Sequence, residues 1–155
     1  MLYGIDIFSG AGGLSLGAEM VGIKISHAVE INPSAAKTFL RNHKGAEVQQ
    51  GDIKYIKSSD LISKNHPVFV IMGGPPCQGF SLSNTRTRNM ENKNNFLFLE
   101  FVRLVKEIKP TWFVLENVWG LTNINEGQTK TMIENCFQEL GYKVKSEVLW
   151  ASDYG

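Results

Sequence analysis

Residues 1–22 constrain this chain more than any other stretch. Leu2 to Phe8 is an apolar run, Ser9-Gly10-Ala11-Gly12-Gly13 is a turn, and Leu14, Ala18 and Val21 then recur at helical spacing until Gly22. The run is short enough to be a buried strand, the glycines allow a tight reversal, and the spaced apolar residues lay one face of a helix against a core. Strand, glycine turn and helix together open a parallel α/β sheet, since only a crossover connection can bring the next strand alongside in the same direction.

The alternation continues. Ile25 to Ile31 reads as a second strand, and Asn32-Pro33 as the cap and first residue of a helix running to about Asn42. Glu47 to Gln50 is a candidate third strand before Gly51-Asp52-Ile53, and Val68 to Met72 a fourth. Leu97, Phe101, Leu104 and Ile108 mark the next helix, closed by Pro110; Trp112 to Leu115 is strand five. Gln128 to Leu140 is helical, Gly141 ends it, and Tyr142 to Trp150 partly alternates as a final, more exposed strand. The expectation is an α/β protein with a Rossmann-like parallel sheet. No repeat, low-complexity tract or linker interrupts it.

A length of 155 residues with 43% hydrophobic content suits one domain with a real core, and a charged fraction of 20% argues against disorder. A net charge of +1 makes no global case for a nucleic-acid partner, so any polyanion contact would rest on local patches such as Arg86, Arg88 and Lys93. Two cysteines, Cys77 and Cys136, no signal-like N-terminus and no apolar stretch long enough to cross a bilayer read as a soluble, cytoplasmic chain without a structural disulfide.

Chemistry concentrates where strands end. Val68 to Met72 leads through Gly73-Gly74-Pro75-Pro76 into Cys77, so a thiol is presented at the carboxyl edge of the sheet, where open parallel sheets bind ligands. Strand five delivers Glu116-Asn117 to the same edge, an awkward place for an idle carboxylate. The first unit, with Glu30 at the end of strand two, has the parts of a nucleoside site: a close backbone turn at a helix start and a carboxylate for ribose hydroxyls. Ser15 stands at the third glycine position of a dinucleotide fingerprint, which weakens a nicotinamide reading. The glycines could equally serve as a tight strand-to-helix turn alone. Asp52 has two readings, an acceptor for an adenine amino group or the cap of a turn. Cys136, spaced with Met132, Ile133 and Leu140, reads as core packing, and His27, His43 and His66 show no metal-ligand spacing.

Taken together, these motifs resemble the DNA (cytosine-5)-methyltransferases, particularly the bacterial enzymes of restriction-modification systems, over nearly the whole chain. Asp6-Ile7-Phe8-Ser9-Gly10-Ala11-Gly12-Gly13 is similar to the family's cofactor loop, Glu30 to its ribose-binding acid and Gly51-Asp52-Ile53 to its adenine-contacting turn. Pro76-Cys77-Gln78-Gly79-Phe80-Ser81 resembles the nucleophile motif, and Glu116-Asn117-Val118 the acid motif.

The resemblance implies S-adenosylmethionine as cofactor and double-stranded DNA with a flipped-out cytosine as substrate. It implies that Cys77 adds to C6 of the base while Glu116 acts at N3. It places Phe8, Ala11, Gly12, Gly13, Glu30, Ile31, Asp52, Ile53, Gly74, Pro76 and Leu97 around the cofactor, and Gln78, Ser81, Arg86 and Arg88 against DNA. No metal is implied. After Asp153-Tyr154-Gly155 the family continues into further motifs, a target-recognition region and a strand that inserts between strands five and six. Residues 1–155 are therefore expected to be the N-terminal part of a catalytic domain with an incomplete sheet, inactive or nearly so alone, and completed by a longer chain or a complementing one. A non-catalytic adenosylmethionine-binding subunit and an RNA (tRNA) cytosine methyltransferase are the alternatives.

Overall fold

The computed structural model describes residues 1–63, 66–76, 97–118 and 128–154. Among these, β1 (Leu2–Ile7), β2 (Ile23–Glu30), β3 (Glu47–Gln50), β4 (Val68–Gly73) and β5 (Trp112–Leu115) form one sheet in the order β3-β2-β1-β4-β5. Every pairing is parallel. The chain builds outward from β1 to β3, then crosses back to lay β4 on the other side of β1. That reversal opens a crevice beyond the carboxyl ends of β1 and β4, the topological switch point of an open sheet.

Side chains alternate across the sheet and divide the core in two. Ile5, Ile7 and Ile71 point to one face, where Phe101, Leu104 and Val105 of α3 (Leu97–Ile108) and Ile133 and Phe137 of α4 (Gln128–Glu139) cover them. Ile25, Ala28, Val70 and Met72 point to the other, where Phe39 of α2 (Pro33–Asn42) joins them. Burying an aromatic such as Phe39 completely contributes roughly 2–3 kcal/mol, so each face is held by its helices rather than by intrinsic helix propensity. The short α1 (Gly13–Met20) lies on the second face too, with Ser15 buried against β1.

Local signals act as their chemistry requires. Asn32 caps α2, its Oδ1 accepting from the backbone N–H of Ser34 at 2.9 Å and Ala35 at 3.1 Å, and Pro33 fills the first helical position. The pairing of β1 with β2 slips between Gly4 and Ile5, whose partners are Ile25 and His27; the extra residue, Ser26, donates its hydroxyl to the Gly4 carbonyl at 3.2 Å.

One expected element does not form. Tyr142 to Trp150 is not a strand. Tyr142 is tied instead to the core, its hydroxyl donating to the Pro110 carbonyl at 2.6 Å and its ring edge-on to Phe113. A cavity of about 350 Å³ is lined by β5 and residues 142–147, and β5 pairs with β4 alone among the described residues. Alternating side chains cannot make a strand without a neighbouring edge to pair with. Cys136 packs against the first core, as its spacing indicated. Among the described residues, no helix is long and apolar enough to cross a membrane.

Candidate active site

The turns after all five strands meet at one edge. The turn after β1 begins with Phe8 in the left-handed region, φ 63°, where a residue with a β-carbon is strained by about 1–2 kcal/mol. Such strain persists only where the surroundings impose it, and it is concentrated at functional sites. Here the Ser9 N–H donates to the Val29 carbonyl at 3.1 Å and the Gly12 N–H to the Ser9 carbonyl at 3.0 Å, which closes the turn into α1. Gly12, at φ 96°, leaves no room for a side chain: a β-carbon would stand 2.1 Å from His43 Nε2 and 2.9 Å from Phe39 Cδ2. The His43 ring is itself buried, and its Nδ1 pairs with Glu19 Oε2 at 2.9 Å.

Glu30, at the end of β2, organises two loops at once. Its Oε2 accepts the Gly10 N–H at 2.8 Å and its Oε1 the Asn32 N–H at 2.7 Å. Each carboxylate oxygen keeps further acceptor capacity for a ligand hydroxyl. Asp52 caps the 3₁₀ turn Ile53–Tyr55 by accepting the Lys54 N–H at 3.0 Å. Arg103 of α3 fixes that turn from behind, donating from Nη2 to the carbonyls of Ile53 and Ile56 at 3.1 Å each.

These elements enclose two cavities that share Phe8. The first, about 170 Å³, brings together Phe8, Glu30, Ile31, Asp52, Ile53, Pro76 and Leu97 from four different turns and the start of α3. It has apolar walls and two carboxylates at its rim, the composition a nucleoside requires. The second, about 470 Å³, is lined by Phe8, Gly13, Gly74 and Glu116, together with Asp6, Ser9 and Leu14. Ala11, exposed, and Gly12, buried against His43, line neither cavity; both shape the turn.

Glu116 follows β5 and is held there by the backbone. Its N–H donates to the Gly73 carbonyl at 3.0 Å, and Asn117 Nδ2 donates to the Pro75 carbonyl at 3.1 Å. The loop after β5 is thus fastened to the loop after β4, and Glu116 sits against the segment Gly74-Pro75-Pro76 that leads to the thiol. Cys77, Gln78, Ser81, Arg86 and Arg88 lie outside the described residues.

Asp6 and Ser9, quoted in the cofactor-loop motif but given no individual role there, line the second cavity, as does Leu14, which sequence reading placed only on the face of α1. The signal for Asp6 was present, a carboxylate inside an otherwise apolar strand. It is 1% exposed, its Oδ2 accepts the Ser15 hydroxyl at 2.6 Å, and its Oδ1 has no partner. Burial pushes its carboxyl up from 3.8 to about 6, against the opposing Ser15 hydrogen bond and the charge of His43 and with a smaller push from Glu30. Among the described residues, no cluster of three His, Cys, Asp or Glu side chains could hold a metal ion.

Known proteins of greater length are similar to this chain. The Type II methyltransferase M1.HphI of Haemophilus parahaemolyticus is 44% identical over 154 residues, 97% of this chain and 41% of that protein. M.DdeI of Desulfomicrobium norvegicum is 40% identical over 154 residues, again 97% of this chain but 37% of its own length. The chain therefore spans about two-fifths of these relatives. Among solved structures, a DNA modification methyltransferase encoded within an Escherichia coli prophage superposes with a TM-score of 0.75 at 34% identity, covering 90% of this chain and 38% of that one. A Dnmt2 methyltransferase of S. pombe, 20% identical with a TM-score of 0.59 over 87% of this chain and 39% of its own, shares the fold. Residues 2–155 match the family described as C-5 cytosine-specific DNA methylase, and the chain belongs to that family.

Proposed function

We propose that the protein methylates carbon 5 of cytosine in duplex DNA, and that residues 1–155 form the cofactor-binding part of its catalytic domain, working in the bacterial cytoplasm. The observation that carries this reading is the adjacency of a nucleoside-shaped cavity to a second cavity bearing Glu116, with Phe8 between them. S-adenosylmethionine fits the residues present: the apolar walls of the first cavity suit its adenine, Glu30 its ribose hydroxyls, and the second cavity its amino-acid arm. When bound there, it supplies an electrophilic methyl group.

The chain's own residues prepare the other partner. The Cys77 thiolate adds to C6 of a cytosine turned out of the duplex, forming the S–C6 bond. Glu116 supplies a proton or hydrogen bond to N3, so that the electron pair of the C5–C6 double bond becomes available at C5. After methylation, loss of the C5 proton drives the thiolate out and restores the double bond. Thiolate suits both halves of this sequence, being a strong nucleophile and an adequate leaving group. Gln78, Ser81, Arg86 and Arg88 are assigned to DNA contacts.

The test is transfer of labelled methyl groups to duplex DNA and to tRNA by the protein as its cell makes it, beside its Cys77→Ser and Glu116→Gln variants. Label in DNA that disappears with Cys77→Ser and falls roughly 10²- to 10⁴-fold with Glu116→Gln supports the reading. Undiminished transfer by Cys77→Ser removes the mechanism, and label in tRNA alone reassigns the substrate.

A further inference from the structure

Arg103 lines neither cavity, yet every nitrogen of its guanidinium is committed. Its Nε donates to Glu100 Oε2 at 2.8 Å, its Nη1 to Glu107 Oε2 at 3.2 Å, and its Nη2 to the carbonyls of Ile53 and Ile56 at 3.1 Å each. The two carboxylates stand on α3 beside it, at i−3 and i+4, and hold the planar fork in place. The two carbonyls belong to a turn far away in sequence. The Arg103 side chain is 29% exposed, so these charge-assisted bonds are partly sheltered from water.

That turn is a poor anchor by itself. It follows β3, a four-residue edge strand that pairs with β2 alone. It is a single 3₁₀ turn, closed by the Tyr55 N–H on the Asp52 carbonyl at 3.0 Å and the Ile56 N–H on the Ile53 carbonyl at 3.2 Å, and hydrogen bonds of this kind have poor geometry. Yet it brings Asp52 and Ile53 to the smaller cavity, and Ile53 is 4% exposed. Leu97, the first residue of α3, lines the same cavity, about 9 Å along the helix axis from Arg103. One helix thus supplies Leu97 directly and holds Ile53 through the carbonyl behind it.

Resting on the cofactor reading above, we propose that Arg103 is a positioning residue for the methyl donor: by gripping the Ile53 and Ile56 carbonyls from α3, it sets the spacing between Ile53 and Leu97, and so the affinity for the adenosine part of the donor, without acting on the chemistry at Cys77 and Glu116. Apolar contacts to a flat base weaken steeply when a gap opens by a fraction of an ångström. Lysine cannot replace this residue fully, because an ammonium has no fork that reaches two carbonyls and two carboxylates at once.

The experiment is steady-state methyl transfer to duplex DNA by the protein as its cell makes it, with calorimetric titration of methylthioadenosine, the adenosine part of the donor without its amino-acid arm. Arg103→Ala is expected to raise KM for S-adenosylmethionine and Kd for methylthioadenosine by about tenfold or more, with kcat at saturating donor and KM for DNA changed less than about twofold. Arg103→Lys should recover part of the loss. Glu107→Gln, which leaves both carbonyls held, should change donor affinity less than about twofold. A merely structural role would instead lower the melting temperature and kcat with KM for the donor intact, and that result overturns the proposal. So does unchanged methylthioadenosine affinity in Arg103→Ala or, should that variant not fold, in Arg103→Lys. A loss in Glu107→Gln as large as that in Arg103→Ala also overturns it, since the effect would then lie in the charges of α3. In each of these cases the cofactor site stands; failure of the unsubstituted protein to bind methylthioadenosine overturns both readings.

Discussion

The carboxylate of Glu116 occupies the space that a side chain on Gly74 would fill: a β-carbon there would stand 2.6 Å from Glu116 Oε2. Two strands whose sequences are far apart thereby place an acid beside the segment that carries the thiol.

Gly74→Ala should therefore displace the end of a flexible side chain and little else. The expected outcome is a stability change under about 1 kcal/mol by urea unfolding with a clear loss of methyl transfer. The neighbouring Gly73→Ala should do the reverse. Its β-carbon would lie 1.8 Å from the Ile7 carbonyl oxygen, which is backbone and cannot swing aside, so stability should fall by about 3 kcal/mol or more.

Glu30→Ala would strip the acceptors from the Gly10 and Asn32 N–H groups together. The Gly10 bond is part-buried and the Asn32 bond exposed, so water can take over in part and the combined loss should be on the order of 1–2 kcal/mol. A lower melting temperature accompanied by weaker methylthioadenosine binding is expected. Glu30→Gln, which keeps one acceptor oxygen, should fall between. Unchanged stability in Glu30→Ala would show that the two turns hold their shape without it.

Asp6 should give stability an unusual pH profile. Its carboxyl ionises near 3.8 in the unfolded chain and near 6 in the fold. As pH rises from about 4 to 6, the unfolded chain releases this proton while the fold retains it, so stability declines across that window and stays lowered above it, by about 3 kcal/mol. Denaturant melts at pH 4.5 and 7 should show the Asp6→Asn variant gaining on the unsubstituted protein at the higher pH.

Gly12 and His43 should couple. Gly12→Ala meets the His43 ring and holds alanine at a left-handed φ, and losses of several kcal/mol are expected. His43→Ala removes the ring, so the double variant should be less damaged than the two single losses added together. Strict additivity in a double-mutant cycle would place the cost in the backbone alone.

Much of this architecture was legible in the order of residues. Asn32-Pro33 announced the start of α2, Gly141 the end of the last helix, and the apolar runs at Val68 and Trp112 were strands where expected. Glu30, Asp52, Pro76 and Leu97 were assigned to one cofactor site from separate motifs, and the fold gathers them around one cavity. Asp52 is the cap of its turn and also lines that cavity.

The sequence by itself determined the kind and succession of elements, because caps, turns and hydrophobic periods act between residues a few positions apart. Tertiary structure alone decided the rest. Tyr142 to Trp150 alternates like a strand, yet it forms none, and among the described residues β5 pairs with β4 alone. Gly12 is one glycine of a turn in the sequence, and only the fold shows His43 occupying the space its side chain would need. Asp6 opens the cofactor-loop motif in the sequence, but only the fold shows that it is buried, holds a single bond to Ser15 and leaves one oxygen unpartnered. Each of these depends on partners distant in sequence, and pairing, exclusion of water and the energy of a buried charge are settled only when the chain has closed around them.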